Sequence, residues 1–207
     1  MLKILKNIFK EVNAPEASAS GGVDLRRRQF FREAFLQVTD ALRELAQERM
    51  GPRKYLRPPG AVEELTFLSL CTCCDECIRV CPHEAIRGAG VETGLPLGSP
   101  IIIPKEKPCY LCEDFPCIKV CKEGALKLPA RREEVRMGLA VIDNESCVSS
   151  EIQFCQSCVL ACPLSGEAIY MEGGKPIVNK EKCTGCGLCE QACLTVNTSC
   201  AVKITPL

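Results

Sequence analysis

The chain has 207 residues, of which 18 are cysteine and only 5% are aromatic, and it contains no tryptophan. At this abundance cysteine, rather than an aromatic-rich core, organises the fold. The 26 basic and 26 acidic side chains balance to a formal charge of zero, which argues against nucleic acid as a main partner. The sequence contains no run of about 18 uncharged apolar residues, so it predicts no transmembrane helix.

Residues 1–52 predict an N-terminal arm with amphipathic helices. In residues 1–12 the apolar side chains recur at helical spacing, and three lysines fall on the opposite side. An isolated helix this short is marginal in water. Two interpretations therefore stay open: a frayed terminus, or a helix that docks on a membrane surface or in the groove of a partner protein.

A longer helix is predicted after the small and polar segment 14–22, with Asp24 as its N-cap and Gly51 beyond its end. Its apolar residues fall at alternating four- and three-residue steps, at Phe31, Phe35, Val38, Leu42 and Leu45. Two heptads are too few to predict a coiled coil. We expect this helix to pack on the cysteine-rich region or on a partner subunit.

The start of that helix resembles the twin-arginine signal for export of folded proteins, in the sequence Arg26-Arg27-Arg28-Gln29-Phe30-Phe31-Arg32. An export signal also needs an uncharged apolar run, and here charged side chains leave only residues 34–39. We interpret the segment as a degenerate signal that has become a structural helix. We therefore expect a cytoplasmic protein that associates peripherally with a membrane through the arm, and we treat periplasmic export as the alternative.

Residues 53–207 form the second predicted region, in which sixteen cysteines fall into four groups with closely related spacing. Group one is Cys71, Cys74, Cys77 and Cys81. Group two is Cys109, Cys112, Cys117 and Cys121. Group three is Cys147, Cys155, Cys158 and Cys162. Group four is Cys183, Cys186, Cys189 and Cys193.

This spacing is typical of 4Fe-4S clusters. Three thiolates two residues apart line a loop that wraps one cubane, and backbone N–H groups of the loop donate to its sulfurs. The fourth cysteine is expected to start a helix and face away, and in two-cluster ferredoxins it binds the other cluster. We therefore predict that the sixteen cysteines bind four 4Fe-4S clusters, which add roughly −8 of charge to the protein.

Two other uses of the thiols fit less well. Structural zinc is bound by two C-x2-C pairs at longer separation, whereas a C-x2-C-x2-C run crowds a single tetrahedral ion. The adjacent Cys73 and Cys74 and the repeated triplets fit a disulfide framework poorly. The sequence contains no phosphate-binding loop, dinucleotide-binding glycine motif or paired nucleophile and base. We therefore predict a non-catalytic electron-transfer subunit of an oxidoreductase complex.

Three reactive residues remain outside the predicted ligand set. Cys73 lies beside Cys74 in the first loop, and Cys200 follows the last group. We interpret both as small buried thiols or packing residues near a cluster, with ligand exchange as the alternative. His83, the only histidine, is expected to be a surface or hydrogen-bonding residue, because group one already has four thiols.

Over residues 53–207 the chain resembles the MauM/NapG family of ferredoxin-type proteins. The segments that carry the resemblance are, in order, Arg57-Pro58-Pro59-Gly60-Ala61, Pro108-Cys109-Tyr110-Leu111-Cys112-Glu113-Asp114, Arg136-Met137-Gly138-Leu139-Ala140-Val141, Ala161-Cys162-Pro163-Leu164 and Cys183-Thr184-Gly185-Cys186-Gly187.

The resemblance implies a four-cluster subunit that passes electrons from a quinol-oxidising membrane partner toward a reductase, as in periplasmic nitrate reduction. Members of the family are typically exported by the twin-arginine route, and this chain departs from them in its degraded signal. Lys122 and Leu194 are further departures, because proline usually stands there. The second function that we weigh is an iron-sulfur maturation, scaffold or redox-sensing subunit, and reducibility of the clusters distinguishes it from a relay.

The predicted fold class is α+β: two ferredoxin-like halves, each with two 4Fe-4S clusters, and an N-terminal helical arm. A β-hairpin is predicted over residues 168–178, around Gly173-Gly174. Group two resembles its counterpart in electron-transfer subunits of molybdopterin oxidoreductases. By that analogy, groups two and three form one half, in which the first three cysteines of group two share a cubane with Cys162 and those of group three share one with Cys121. Groups one and four form the other half, in which the first three cysteines of group one share a cubane with Cys193 and those of group four share one with Cys81. Pairing of adjacent groups is the alternative and uses the same ligands.

Overall fold

The computed structural model describes residues 33–35, 37–39, 53–150, 154–197 and 199–207. The chain divides into two units, Met1–Arg49 and Met50–Leu207. No helix within the described ranges has the length and apolar character needed to cross a bilayer. The predicted helix in residues 1–12, the Arg26–Arg32 motif and most of the second predicted helix lie outside the described residues.

Of that second predicted helix, residues 33–35 and 37–39 are described and are helical, which agrees with the spacing of its apolar side chains. Phe35 and Val38 lie on it with exposed side chains.

Short helices and short strands alternate along the rest of the chain, in agreement with the predicted α+β class. The helices are α1 (Glu64–Leu70), α2 (Glu76–Arg79), α3 (Pro116–Lys119), α4 (Ser157–Leu160) and α5 (Leu188–Val196). The strands are β1 (Ile86–Gly88), β2 (Pro100–Ile102), β3 (Gly138–Ile142), β4 (Ile169–Glu172), β5 (Lys175–Val178) and β6 (Val202–Pro206). Single turns of 3-10 helix occur at Val91–Thr93, Arg132–Glu134 and Val148–Ser150.

Helices α2, α3 and α4 are single turns, and each carries the third cysteine of its group. The fourth cysteine follows two residues after each of these turns, while Cys193 lies inside α5. The expectation that the fourth cysteine starts a helix is therefore wrong. In group one the reason is that the Cys81 amide donates to the carbonyl of Ile78 (3.3 Å) and so closes the turn instead of opening a new one.

Three antiparallel strand pairs complete the fold. Strands β4 and β5 form the predicted hairpin, with Glu172 opposite Lys175. Gly173 and Gly174 have φ angles of 58° and 80°, the left-handed conformations that favour a two-residue hairpin turn. Strand β1 pairs with β2. Strand β3 pairs with β6, which lies far from it in sequence.

Two sets of buried apolar side chains form the core of the second unit. The first set includes Phe67, Ile102 and Leu111, and six of the eight cysteines of groups one and two pack in or against it. The second set includes Ile169 and Val202, and cysteines of groups three and four pack in or against it. Adjacent cysteine groups thus share a core. Cys186 of group four is the exception, because it belongs to the first core.

Candidate metal centres

Four cavities account for all sixteen predicted ligands, and each takes three cysteines from one group and one from its neighbour. Cavity A is lined by Cys71, Cys74, Cys77 and Cys121. Cavity B is lined by Cys81, Cys109, Cys112 and Cys117. Cavity C is lined by Cys162, Cys183, Cys186 and Cys189. Cavity D is lined by Cys147, Cys155, Cys158 and Cys193.

These cavities contradict the pairing taken from the molybdopterin-dependent enzymes. Cys121 lines the cavity of group one, and Cys193 lines the cavity of group three. Groups one and two therefore exchange their fourth cysteines, as do groups three and four. The alternative pairing of adjacent groups is the one that agrees with the structure.

The spacing within each group allows its third and fourth cysteines to line different cavities. The third and fourth cysteines are four residues apart, as in Cys77 and Cys81, so one helical turn separates them. Two thiols at opposite ends of one short turn can therefore line two neighbouring sites. Cys77 accordingly lines cavity A, whereas Cys81 lines cavity B.

The thiols of each cavity lie close enough together to repel one another as thiolates. Burial and then the neighbouring Cys71 raise the pKa of Cys77 to about 12. Burial and then Cys81 raise the pKa of Cys117 to about 12. In cavity D, burial and then Cys147 raise the pKa of Cys158 to about 11. Such thiols become thiolates only beside a strong positive charge, which iron supplies.

Hydrogen bonds from backbone and side-chain donors offset part of the free-energy cost of ionising these buried thiols. The Ala85 amide donates to Cys81 Sγ at 3.3 Å, and the Ala140 amide donates to Cys183 Sγ at 3.5 Å. Hydrogen bonds from the Leu188 amide and the Thr184 side chain lower the pKa of Cys186, although burial outweighs them and raises it overall. Donors of this kind hold ligand sulfurs in place and tune a cluster's potential.

The donor set suits iron-sulfur clusters better than single ions or disulfides. All eighteen cysteines lie in the described ranges, and none of them forms a disulfide. Within those same ranges, no three His, Cys, Asp or Glu side chains are gathered closely enough to hold one metal ion. The four thiols of each set line a void instead, and they come from two chain segments. This is the arrangement that a cubane with four cysteine ligands requires.

A backbone contact joins cavities B and C. The Cys109 amide donates to the carbonyl of Cys186 at 2.9 Å. Beside it, the Met137 amide donates to the carbonyl of Thr184 at 3.0 Å. The loop of group four is therefore attached to the segment that opens group two, which explains why Cys186 packs in the first core.

Residues outside the predicted ligand set also line these sites. Cys73 lines cavity A as a fifth thiol, together with Lys122. The rings of His83 and Tyr110 stack with centroids 4.1 Å apart and line cavity B. His83 therefore has a packing role that the sequence did not indicate. Cys200 Sγ lies 2.9 Å from the carbonyl oxygen of Val202, which agrees with the predicted packing role.

Comparison with known proteins gives the same class of site. The family described as "4Fe-4S dicluster domain" matches residues 139–194, which contain groups three and four. The ferredoxin-type protein NapG of Escherichia coli is 37% identical over 202 residues, covering 87% of this chain and 86% of NapG. The methylamine utilization ferredoxin-type protein MauM of Methylorubrum extorquens is 40% identical over 164 residues, covering 74% of this chain and 73% of MauM. No solved structure matches the chain significantly.

Proposed function

Since this chain belongs to the MauM/NapG family of ferredoxin-type iron-sulfur electron-transfer proteins, we propose that it relays single electrons through four 4Fe-4S clusters. The observation that carries the proposal is the lining of the four cavities, each by three cysteines of one group and one of its neighbour. The clusters would supply reversible one-electron transfer when bound. The chain would supply the sixteen thiol ligands and hold the four sites in a fixed order.

The contacts between cavities suggest that order. Cys77 of cavity A lies near Cys117 of cavity B, close enough for the second thiol to raise the pKa of the first. Cavities B and C share the hydrogen bond between Cys109 and Cys186. Cys189 of cavity C is close enough to Cys158 of cavity D for a similar effect on its pKa. We therefore infer a linear path from A through B and C to D, with A and D at its ends.

The polypeptide around the cavities suits a relay. Cys109, Cys117, Cys158 and all four cysteines of group four are buried, which limits the access of water to cavities B and C. Amide donors to the thiols fix the ligands without taking part in any bond-breaking chemistry. These features fit a non-catalytic subunit that exchanges electrons with other proteins.

The partners follow from the family. One relative is described as a methylamine utilization protein, and the resemblance as a whole implies a quinol-linked donor. We propose a membrane quinol dehydrogenase on one side and the catalytic subunit of an oxidoreductase on the other. The proposed compartment is the cytoplasm, with peripheral membrane association through residues 1–52. Cell fractionation tests this placement, and recovery from the periplasm would contradict it.

Anaerobic purification of the full chain with its co-purifying subunits tests the proposed function. We expect about sixteen irons per chain and a partial, reversible loss of the visible absorption on reduction by dithionite and by a quinol-linked partner. A matched variant, Cys109→Ala, removes a ligand of cavity B and should lower the content of reducible clusters. Clusters that neither reductant can reduce would contradict the relay and favour a scaffold. A colourless zinc protein would contradict iron binding altogether.

A further inference from the structure

We propose that Cys73 is a reserve ligand for the cluster in cavity A and that it replaces Cys74 when that thiol is lost or modified. The inference rests on the proposed function, because it assumes that cavity A holds a 4Fe-4S cluster. It adds a seventeenth thiol to the ligand chemistry of the chain.

The composition of cavity A is the first observation behind this inference. Five cysteines line it, whereas cavities B, C and D have four each among the described residues. Its volume is about 310 Å³, the largest of the four. The Cys73 thiol is also within hydrogen-bonding reach of Cys71, an assigned ligand of the same cavity. Cys73 therefore sits among the ligands and not merely close to them in sequence.

The exposure of the neighbouring thiol is the second observation. Of the sixteen assigned ligands, all within the described ranges, Cys74 alone is exposed to solvent, while Cys73 is half-buried. An exposed thiol is the first to meet an oxidant or an alkylating agent. Cavity A also lies at one end of the inferred path. The ligand most open to damage thus has a spare thiol beside it.

The backbone holds Cys73 in a position from which it can take part. Its φ angle is 53°, in the left-handed region. Gly98, which also lines cavity A, lies so close that a Cβ placed on it would be 3.5 Å from the Cβ of Cys73. Gly98 and Cys73 are thus neighbours at the wall of the cavity.

The replacement is a ligand exchange that needs no oxidant or reductant. The bond between iron and Cys74 Sγ breaks as a bond between iron and Cys73 Sγ forms. When an alkylating agent has modified Cys74, its sulfur leaves the iron as a neutral thioether, and the proton of the Cys73 thiol passes to solvent. The numbers of iron, sulfide and electrons stay the same.

Iron content and electron paramagnetic resonance of the reduced, full-length protein test the proposal. We expect Cys74→Ala and Cys73→Ala each to keep about sixteen irons and all four reduced cluster signals. The double variant Cys73→Ala/Cys74→Ala should lose about four irons and one signal. Cys112→Ala is the matched control in cavity B, where no fifth cysteine is available, and it should lose one reduced cluster signal as a single variant.

Alkylation of the anaerobic, cluster-loaded protein gives a second readout that does not depend on cluster stability. In the wild type, one thiol of the Cys73-Cys74 pair should be labelled, as mass spectrometry of the peptide shows. In Cys74→Ala, Cys73 should be protected. A labelled Cys73 in that variant, or the same cluster loss as in the double variant, would overturn the inference. Absence of iron from the wild type would instead overturn the proposed function.

Discussion

Arg57 is the most heavily bonded buried charge around cavities A and B. Its side chain is 1% exposed. It donates to the carboxylate of Glu64, to the hydroxyl of Ser99 (2.7 Å) and to the carbonyl of Pro100 (2.9 Å). Its guanidinium lies 4.6 Å from the centre of the Phe67 ring. These contacts tie helix α1, which leads into the loop of group one, to strand β2.

Replacing Arg57 with methionine should therefore destabilise the fold strongly. The variant leaves the Ser99 hydroxyl and the Pro100 carbonyl without their donor and leaves Glu64, within the described residues, paired only with Arg53 (3.2 Å), which together costs about 3 kcal/mol. Urea unfolding of the anaerobic protein, followed by loss of cluster absorbance, should show a lower midpoint. The control is Arg79→Met, which removes an exposed ion pair with Glu76 and should change stability by about 0.5 kcal/mol or less. Equal effects of the two variants would contradict this role.

At this scale the sequence indicated which thiols line the cavities but not what supports them. The spacing within each group selects the sixteen cysteines that line the cavities, because ligands of one loop are close in sequence. The sequence marked Arg57 only as part of a segment that carries the family resemblance, because its partners Ser99 and Pro100 lie far along the chain. For the same reason the stacking of His83 on Tyr110 had no sequence signal.

Among the structural elements, the loop of group four approaches the backbone of another segment closely. Gly185 has a φ angle of +71°, and a Cβ placed on it would lie 2.3 Å from the backbone nitrogen of Gly138. Only glycine fits both the left-handed conformation and this approach. The contact places the loop against the start of strand β3, next to the hydrogen bond between Met137 and Thr184.

Gly185→Ala should separate this loop from β3. We expect a loss of about 1–3 kcal/mol from the clash with a neighbour that is itself backbone, in addition to the cost of the left-handed conformation. Gly174→Ala is the matched control, because Gly174 also has a positive φ but would meet nothing within 4 Å. It should cost only about 1 kcal/mol. The difference between the two urea midpoints measures the clash, and equal midpoints would contradict it.

The hairpin of β4 and β5 and the pairing of β3 with β6 differ in how far sequence could predict them. The hairpin has a local signal, since Gly173-Gly174 lies between two apolar runs. The pairing of β3 with β6 joins Gly138 to Pro206. Its partners are separated by two cysteine groups, so no turn signal links them, and only the folded structure shows that they meet.

At the scale of the whole molecule, the pairing of cysteine groups could not be derived from their spacing. Spacing fixes which thiols share a loop, but the fourth ligand comes from another loop, and either pairing uses the same residues. Analogy favoured groups two and three, whereas the lining of the four cavities favours adjacent groups. The one-turn separation of the third and fourth cysteines lets them reach two cavities, but only the folded structure indicates which groups are neighbours.

Two double variants test this pairing by the number of cluster sites that they damage. Cys158→Ala/Cys193→Ala removes two ligands from cavity D alone, so three reduced 4Fe-4S signals should remain in spin quantification. Cys158→Ala/Cys162→Ala is the control, since it removes one ligand each from cavities D and C and should leave two signals. If both double variants left two signals, Cys193 would not share a site with Cys158, and the pairing would be refuted.

The exchange of fourth cysteines between neighbouring groups also sets an order for biosynthesis. Cavities A and B possess all their thiols as soon as Cys121 has left the ribosome, while cavity C must wait for Cys189 and cavity D for Cys193. The first pair can thus receive iron and sulfide while the remaining polypeptide is still being translated. The part of the chain that is made first already carries the Cys109 amide, which donates a hydrogen bond to Cys186 in the loop of group four.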